Sequence, residues 1–139
     1  MTFAGINYVA VLAAAAASFM LGWLWYSILF QTQWMAALGK TPEECKDQSM
    51  PIALMALTFV SLAVMALILA GVMGHLGPTG FTVKNGVITG ALIWLGFVIT
   101  TMLVNHGFGG AKRALTVIDG GHWLAVLALQ GAVIGLLGV

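Results

Sequence analysis

Charge is scarce in this chain. Five Lys or Arg and four Asp or Glu are all that 139 residues carry, 6% of the whole, where a water-soluble domain holds roughly a quarter. The formal net charge of +1 gives no sign of a nucleic-acid surface or of an acidic partner. Cysteine occurs once, as Cys45, which excludes an internal disulfide, a CxxC redox pair and a four-cysteine zinc site. Three histidines, His75, His106 and His122, stand far apart without ligand spacing. A phosphate loop, an HExxH segment, a Ser-His-Asp order and a pair of intramembrane carboxylates are all missing. The sequence therefore predicts no enzyme, no catalytic residue, no bound metal and no cofactor.

What fills the chain is apolar. Hydrophobic residues make up 61% of it, and the mean hydropathy is +1.06. They fall into four long stretches, about 3–30, 50–74, 84–106 and 120–139. Each is long enough, at about 1.5 Å per residue, to cross a hydrocarbon core of roughly 30 Å. Lipid leaves no unpaired backbone group tolerable, so runs of this length are helices, and the alternation of barrel strands is absent. The fold class is all-α: an integral membrane bundle of four transmembrane helices, forming one domain over 1–139. The small residues Ala13 to Ala17 and Ser18 resemble a signal cleavage region, but no Lys or Arg precedes them and the apolar run continues to Phe30. An uncleaved first helix is expected.

The connections carry local signals. In the first, about 31–49, Thr41 is placed as an N-cap, Pro42 as first helical residue and Glu44 as capping-box partner, predicting a short interfacial helix. Pro51 suits the first turn of the second span. Gly74, Gly77, Pro78 and Gly80 mark the second connection, Gly107, Gly109 and Gly110 open the third, and Asp119 is expected to cap the last helix. Lys40, Lys46, Lys112 and Arg113 lie in connections one and three, against Lys84 alone in connection two. The positive-inside rule then puts both termini outside the cytoplasm, with a bacterial inner (plasma) membrane as the expected location.

Aromatic and small residues refine this picture. Trp23, Trp25, Tyr26, Phe30 and Trp34 gather at the end of the first span, as an interfacial belt or as an aromatic box for a cation or headgroup. Trp94, in mid-span, needs a partner for its indole N–H on a neighbouring helix. Ala10, Ala14, Ser18 and Gly22, Gly86 and Gly90, and Gly131 and Gly135 recur at four-residue spacing and allow close helix approach. One such stripe is expected to remain for self-association into a homo-oligomer. A short echo links Gly22-Trp23-Leu24-Trp25 to Leu92-Ile93-Trp94-Leu95-Gly96.

Polar residues inside a membrane must be paired or face water. Gln130 lies mid-span with Asp119 eleven residues earlier, on the same face, and His122 flanks that line. Asn7 with Ser18, and Thr89 with Thr100, repeat the spacing. Two readings stand. Asn7, Ser18, Thr100, Asn105, Asp119 and Gln130 line a polar track, or each makes a local bond or interhelical contact. Similarly, His106 and His122 form a proton or metal site, or sit at the interface as isolated rings.

The run Gly22-Trp23-Leu24-Trp25-Tyr26-Ser27-Ile28-Leu29-Phe30, with Trp34 and Gly39, resembles the first-helix signature of the membrane proteins grouped as domain-of-unknown-function family 1761. Asp119-Gly120-Gly121-His122-Trp123, followed by Gly131-Ala132-Val133-Ile134-Gly135, is similar to that family's final helix. The chain departs from the pattern at Gln31, where Gly is frequent, and at His122-Trp123, where an aromatic residue precedes His. The resemblance implies four transmembrane helices with short connections and no known activity. From the polar spacing, the expected role is a small homo-oligomeric channel or transporter for an ion or small solute, with the lipid bilayer as its surroundings. The alternative is a non-catalytic accessory or scaffold subunit of a larger membrane complex.

Overall fold

A computed structural model describes residues 5–46 and 50–138. Among them there is no strand, and four helical spans are long and apolar enough to cross a membrane. The first is α1 (Tyr8–Leu24), continued by a π-helical turn over Trp25–Leu29. It begins later than 3 because the Asn7 side chain caps it, accepting the Ala10 N–H at 3.1 Å. Residues 3 and 4 of the expected span lie outside the described residues. Phe30, at φ −125°, breaks the helix before α2 (Gln31–Leu38). Sequence reasoning misses that helix; Gly39, in the left-handed conformation at φ 72°, ends it. The helix α3 (Pro42–Lys46) has the expected capping box. The Thr41 N–H donates to Glu44 at 2.9 Å and the Glu44 N–H to the Thr41 hydroxyl at 3.3 Å.

Span two is α4 (Ile52–His75), starting just after Pro51. A 3-10 turn, Pro78–Gly80, leads to span three. This consists of α5 (Val83–Ile93), a second π turn over Trp94–Val98, and α6 (Ile99–Phe108). The last span, α7 (Arg113–Leu137), corrects the expected start at 120. Asp119 caps nothing there; it lies inside the helix, and the extended backbone of Lys112 (φ −63°, ψ 141°) marks the true boundary. The glycine pair Gly120-Gly121 looks like a break in sequence. Here it is a packing surface: a Cβ on Gly120 would lie 2.8 Å from Ile99 Cδ1, and one on Gly121 would lie 3.2 Å from the Trp25 ring.

Helix α7 is the hub, packing against α1, α2, α4, α5 and α6. Against α5 the backbones touch. A Cβ on Gly86 would overlap the Gly131 carbonyl, one on Gly90 the Leu127 carbonyl, and one on Gly135 the Thr82 carbonyl. Lipid supplies no hydrophobic drive between helices, so close dispersion contact of this kind holds them together. Val11, Ala14, Ala66, Leu69, Met73, Leu127 and Ile134 form the main core between α1, α4 and α7. Ala15, Leu62 and Val126 continue it toward Phe19 and Phe59. Ala10, Ala14 and Ser18 are buried within the chain, as are Gly86, Gly90, Gly131 and Gly135. The small-residue stripes are thus consumed by the bundle itself. Large apolar side chains, among them Leu92, Leu95, Phe97 and Leu103, face outward where acyl chains would surround them.

Candidate functional site

The two π turns have a common construction. Each begins at a tryptophan and closes with an N–H reaching back five residues, from Phe30 to Trp25 and from Ile99 to Trp94. The additional residue rotates the next part of the span by roughly 100° relative to a continuous α-helix. Each tryptophan then donates its indole N–H to α7, Trp25 to the Ile118 carbonyl at 3.2 Å and Trp94 to the Gly120 carbonyl at 2.8 Å. Trp94 thereby finds the partner its mid-span position requires. Both tryptophans fall within the short echo between spans one and three, which is too short to indicate a duplication. They grip α7 on either side of Asp119.

Asp119 is half-buried, and it takes a hydrogen bond from the Tyr26 hydroxyl at 2.7 Å. Tyr26 belongs to the π turn, so the turn that seats Trp25 also delivers this phenol. One helical turn beyond Asp119 lies His122, only 6% exposed. Both of its ring nitrogens are without a hydrogen-bond partner among the described residues. Its ring is enclosed by aromatic neighbours, with centroids 4.9 Å from Tyr26, 4.8 Å from Trp123 and 6.1 Å from Trp25. Gly22 forms another wall, since a Cβ there would stand 3.3 Å from His122 Nε2. The aromatic set of the first span therefore divides. Trp34 lies tilted at 4.9 Å from Tyr26, Phe30 lies at 4.6 Å from Trp25, and Trp23 points outward. The enclosed guest is an imidazole of the chain itself.

Gln130 lies elsewhere. It is fully buried and donates through Nε2 to the Ser18 hydroxyl at 2.9 Å and the Leu62 carbonyl at 3.0 Å, tying α7 to α1 and α4. Ser18 also donates to the Ala14 carbonyl. Of the six residues expected along a polar track, the structure joins Ser18 to Gln130 and leaves the other four apart. Asn7 caps α1, Thr100 donates to the Gly96 carbonyl at 3.0 Å, Asn105 is exposed at the end of α6, and Asp119 is held by Tyr26. Thr58 and Ser61 likewise bond one turn back. His106 does not approach His122 as a pair; its Nδ1 is hydrogen-bonded to the Thr116 hydroxyl at 2.8 Å. No group of three or more His, Cys, Asp or Glu able to hold a metal occurs among the described residues.

Sequence reasoning also misses the pairing of Tyr26 with Asp119. The signal is weak: a phenol at the end of one span and a carboxylate near the start of another, 93 residues apart, are joined only by the antiparallel packing of α1 on α7. Connections one and three do share an end of the bundle, as the Lys112 ammonium donates to the Ala36 carbonyl at 3.2 Å. No curated protein and no solved structure matches this chain. The family model for the protein of unknown function DUF1761 matches residues 9–135, which contain both π turns and the Asp119 cluster. The chain belongs to that family.

Proposed function

We propose that this protein is a small membrane transport unit for an ion or small solute, working at Tyr26, Asp119 and His122. One observation carries the reading. Glu43, Glu44 and Asp47 all lie in connection one, so Asp119 is the single acidic residue in a membrane span. It lies six residues into α7, about 9 Å along the axis from Arg113. A carboxylate at that position is costly to desolvate and is by default a functional group. A phenol and an imidazole without a hydrogen-bond partner among the described residues flank it. The bundle is read as lying in a bacterial plasma membrane, termini outside, with the Lys112 and Arg113 end in the cytoplasm. Self-association would use the large apolar outer faces, since the small-residue stripes are occupied.

Purified protein in liposomes, challenged with alkali cations, chloride, organic ammonium ions and amino acids, tests the reading. Flux of at least one species above that of empty vesicles, abolished by Asp119→Asn, is expected. Flux absent across the panel, or unchanged in Asp119→Asn, would refute it.

A second reading, an accessory subunit of a larger complex, draws on a groove of about 390 Å³ between α4 and α5, lined by Val72, Leu76, Ile88, Leu92 and Phe97. Gentle detergent extraction separates the two, because stoichiometric co-purification of a different membrane protein favours the accessory role.

A further inference from the structure

We propose that His122 and Asp119 together bind one exchangeable proton, which would make the transport reading above a proton-linked one. The use of the proton rests on that reading, whereas the site itself rests on geometry. A neutral imidazole carries one donor and one acceptor, and in a packed interior both normally have partners. At His122 neither does among the described residues, although the ring is almost fully buried. Asp119 stands three residues earlier on the same face of α7, the spacing at which helical side chains meet. Tyr26 donates to its Oδ1, so the second carboxylate oxygen remains as an acceptor directed at no side chain of the described residues. In the proposed protonated state the imidazolium would turn a ring nitrogen toward that oxygen.

The step is a simple proton balance. A proton taken from water adds to the neutral imidazole, giving an imidazolium beside the Asp119 carboxylate; its release to water restores the neutral ring. The charge changes from one minus to zero across the pair, and the attraction of the Asp119 carboxylate opposes the desolvation cost of the imidazolium. The aromatic neighbours support the same state, because Tyr26, Trp25 and Trp123 place their rings within 6.1 Å of the imidazole.

Other titratable and charged groups are few and placed apart. From α1 and its π turn, only Tyr26 faces the pair. From α6, His106 is engaged with Thr116, and the Lys112 ammonium preceding α7 is engaged with the Ala36 carbonyl. Arg113 is exposed at the start of α7. The α4 segment has no charged residue before His75, at the opposite end of the bundle. In this proposal the proton exchanges with water on the Lys112 and Arg113 side, the end nearest Asp119.

The test is proton binding by the full-length protein in liposomes, read by the imidazole nitrogen resonances and by the infrared carboxyl band while pH is varied. The wild type should show a His122 protonation step that is absent from His122→Gln. Asp119→Asn should weaken proton affinity at His122 on the order of tenfold, one pH unit, and Gly22→Ala, which crowds Nε2 without removing a titrating group, should also displace the midpoint. A His122 signal that never titrates, or a midpoint unmoved by Asp119→Asn in a variant that keeps the wild-type helix content, would overturn the proposal. Flux and proton binding are separate readouts. A protein that binds the proton but moves no solute refutes the transport reading and leaves this site intact, whereas transport with no titration at His122 does the reverse.

Discussion

Replacing Gln130 by Met distinguishes a helix tie from a wall of a water path. The side chain is fully buried, with two interhelical donations and an Oε1 that has no partner among the described residues. Side-chain hydrogen bonds between membrane helices average about 0.6 kcal/mol each, so losing two costs about 1.2 kcal/mol. Against this, removing a buried unsatisfied oxygen recovers about 1–3 kcal/mol. Methionine is unbranched, similar in length and adaptable in shape, so the volume remains filled. Gln130→Met is therefore expected to be neutral or to stabilise by up to about 2 kcal/mol. Gln130→Ala removes the same polar groups but empties the position, and should be less stable than Gln130→Met by about 2–5 kcal/mol, as other large-to-small core changes are. Unfolding of the purified protein by SDS in mixed micelles, followed by helical circular dichroism, gives the comparison. If Gln130→Met loses as much stability as Gln130→Ala, the oxygen has a partner such as bound water, and the reasoning is refuted.

Other expectations concern the helix contacts. Gly86→Ala sets a methyl against the Gly131 carbonyl and should cost about 1–3 kcal/mol or more in the same assay, as overpacking does; Gly96→Ala, with nothing within 4 Å of its Cβ, should be without effect. Trp94→Phe removes the donation to the Gly120 carbonyl and should destabilise by about 0.6 to 1.7 kcal/mol, while a stability equal to the wild type's would show that the indole does not fasten α7. Tyr26→Phe removes the 2.7 Å bond to Asp119; the carboxyl infrared band should shift, and an unchanged band would show that the phenol and carboxylate do not meet.

Much of the architecture is legible in the sequence because the membrane enforces it. Four apolar runs in a chain with so little charge leave helices as their only outcome, and their boundaries are found to within a few residues at α4 and at the third span, from the start of α5 to the end of α6. The capping box at Thr41 and Glu44 is legible for a different reason: it is a contact between neighbours in the chain. The start of α7 is not, since Gly120-Gly121 reads as a break until Ile99 and the Trp25 ring are seen against it. The π turns are also hidden. Nothing local in Trp25–Leu29 or Trp94–Val98 distinguishes a π turn from an α-helix; the indole bonds to α7 belong to tertiary packing. For the same reason the polar spacing misleads. Residues eleven apart share a helix face, but only packing decides what that face meets, and Ser18 meets Gln130 while Thr100 simply bonds its own backbone. Asp119 and His122 stand out in sequence as polar residues, whereas Tyr26 becomes their companion only once α1 and α7 are antiparallel.

Four spans long and apolar enough to cross a membrane, with connections one and three at one end, underlie both the bundle and the Asp119 cluster. Labelling with a membrane-impermeant thiol reagent in sealed, uniformly oriented vesicles tests this directly. It compares native Cys45 with Ala111→Cys and Thr79→Cys, the latter two made in a Cys45→Ser background. Cys45 and the cysteine at 111 should react from the same face and the cysteine at 79 only from the other. Reaction of all three from one face would contradict the fold and the site built on it.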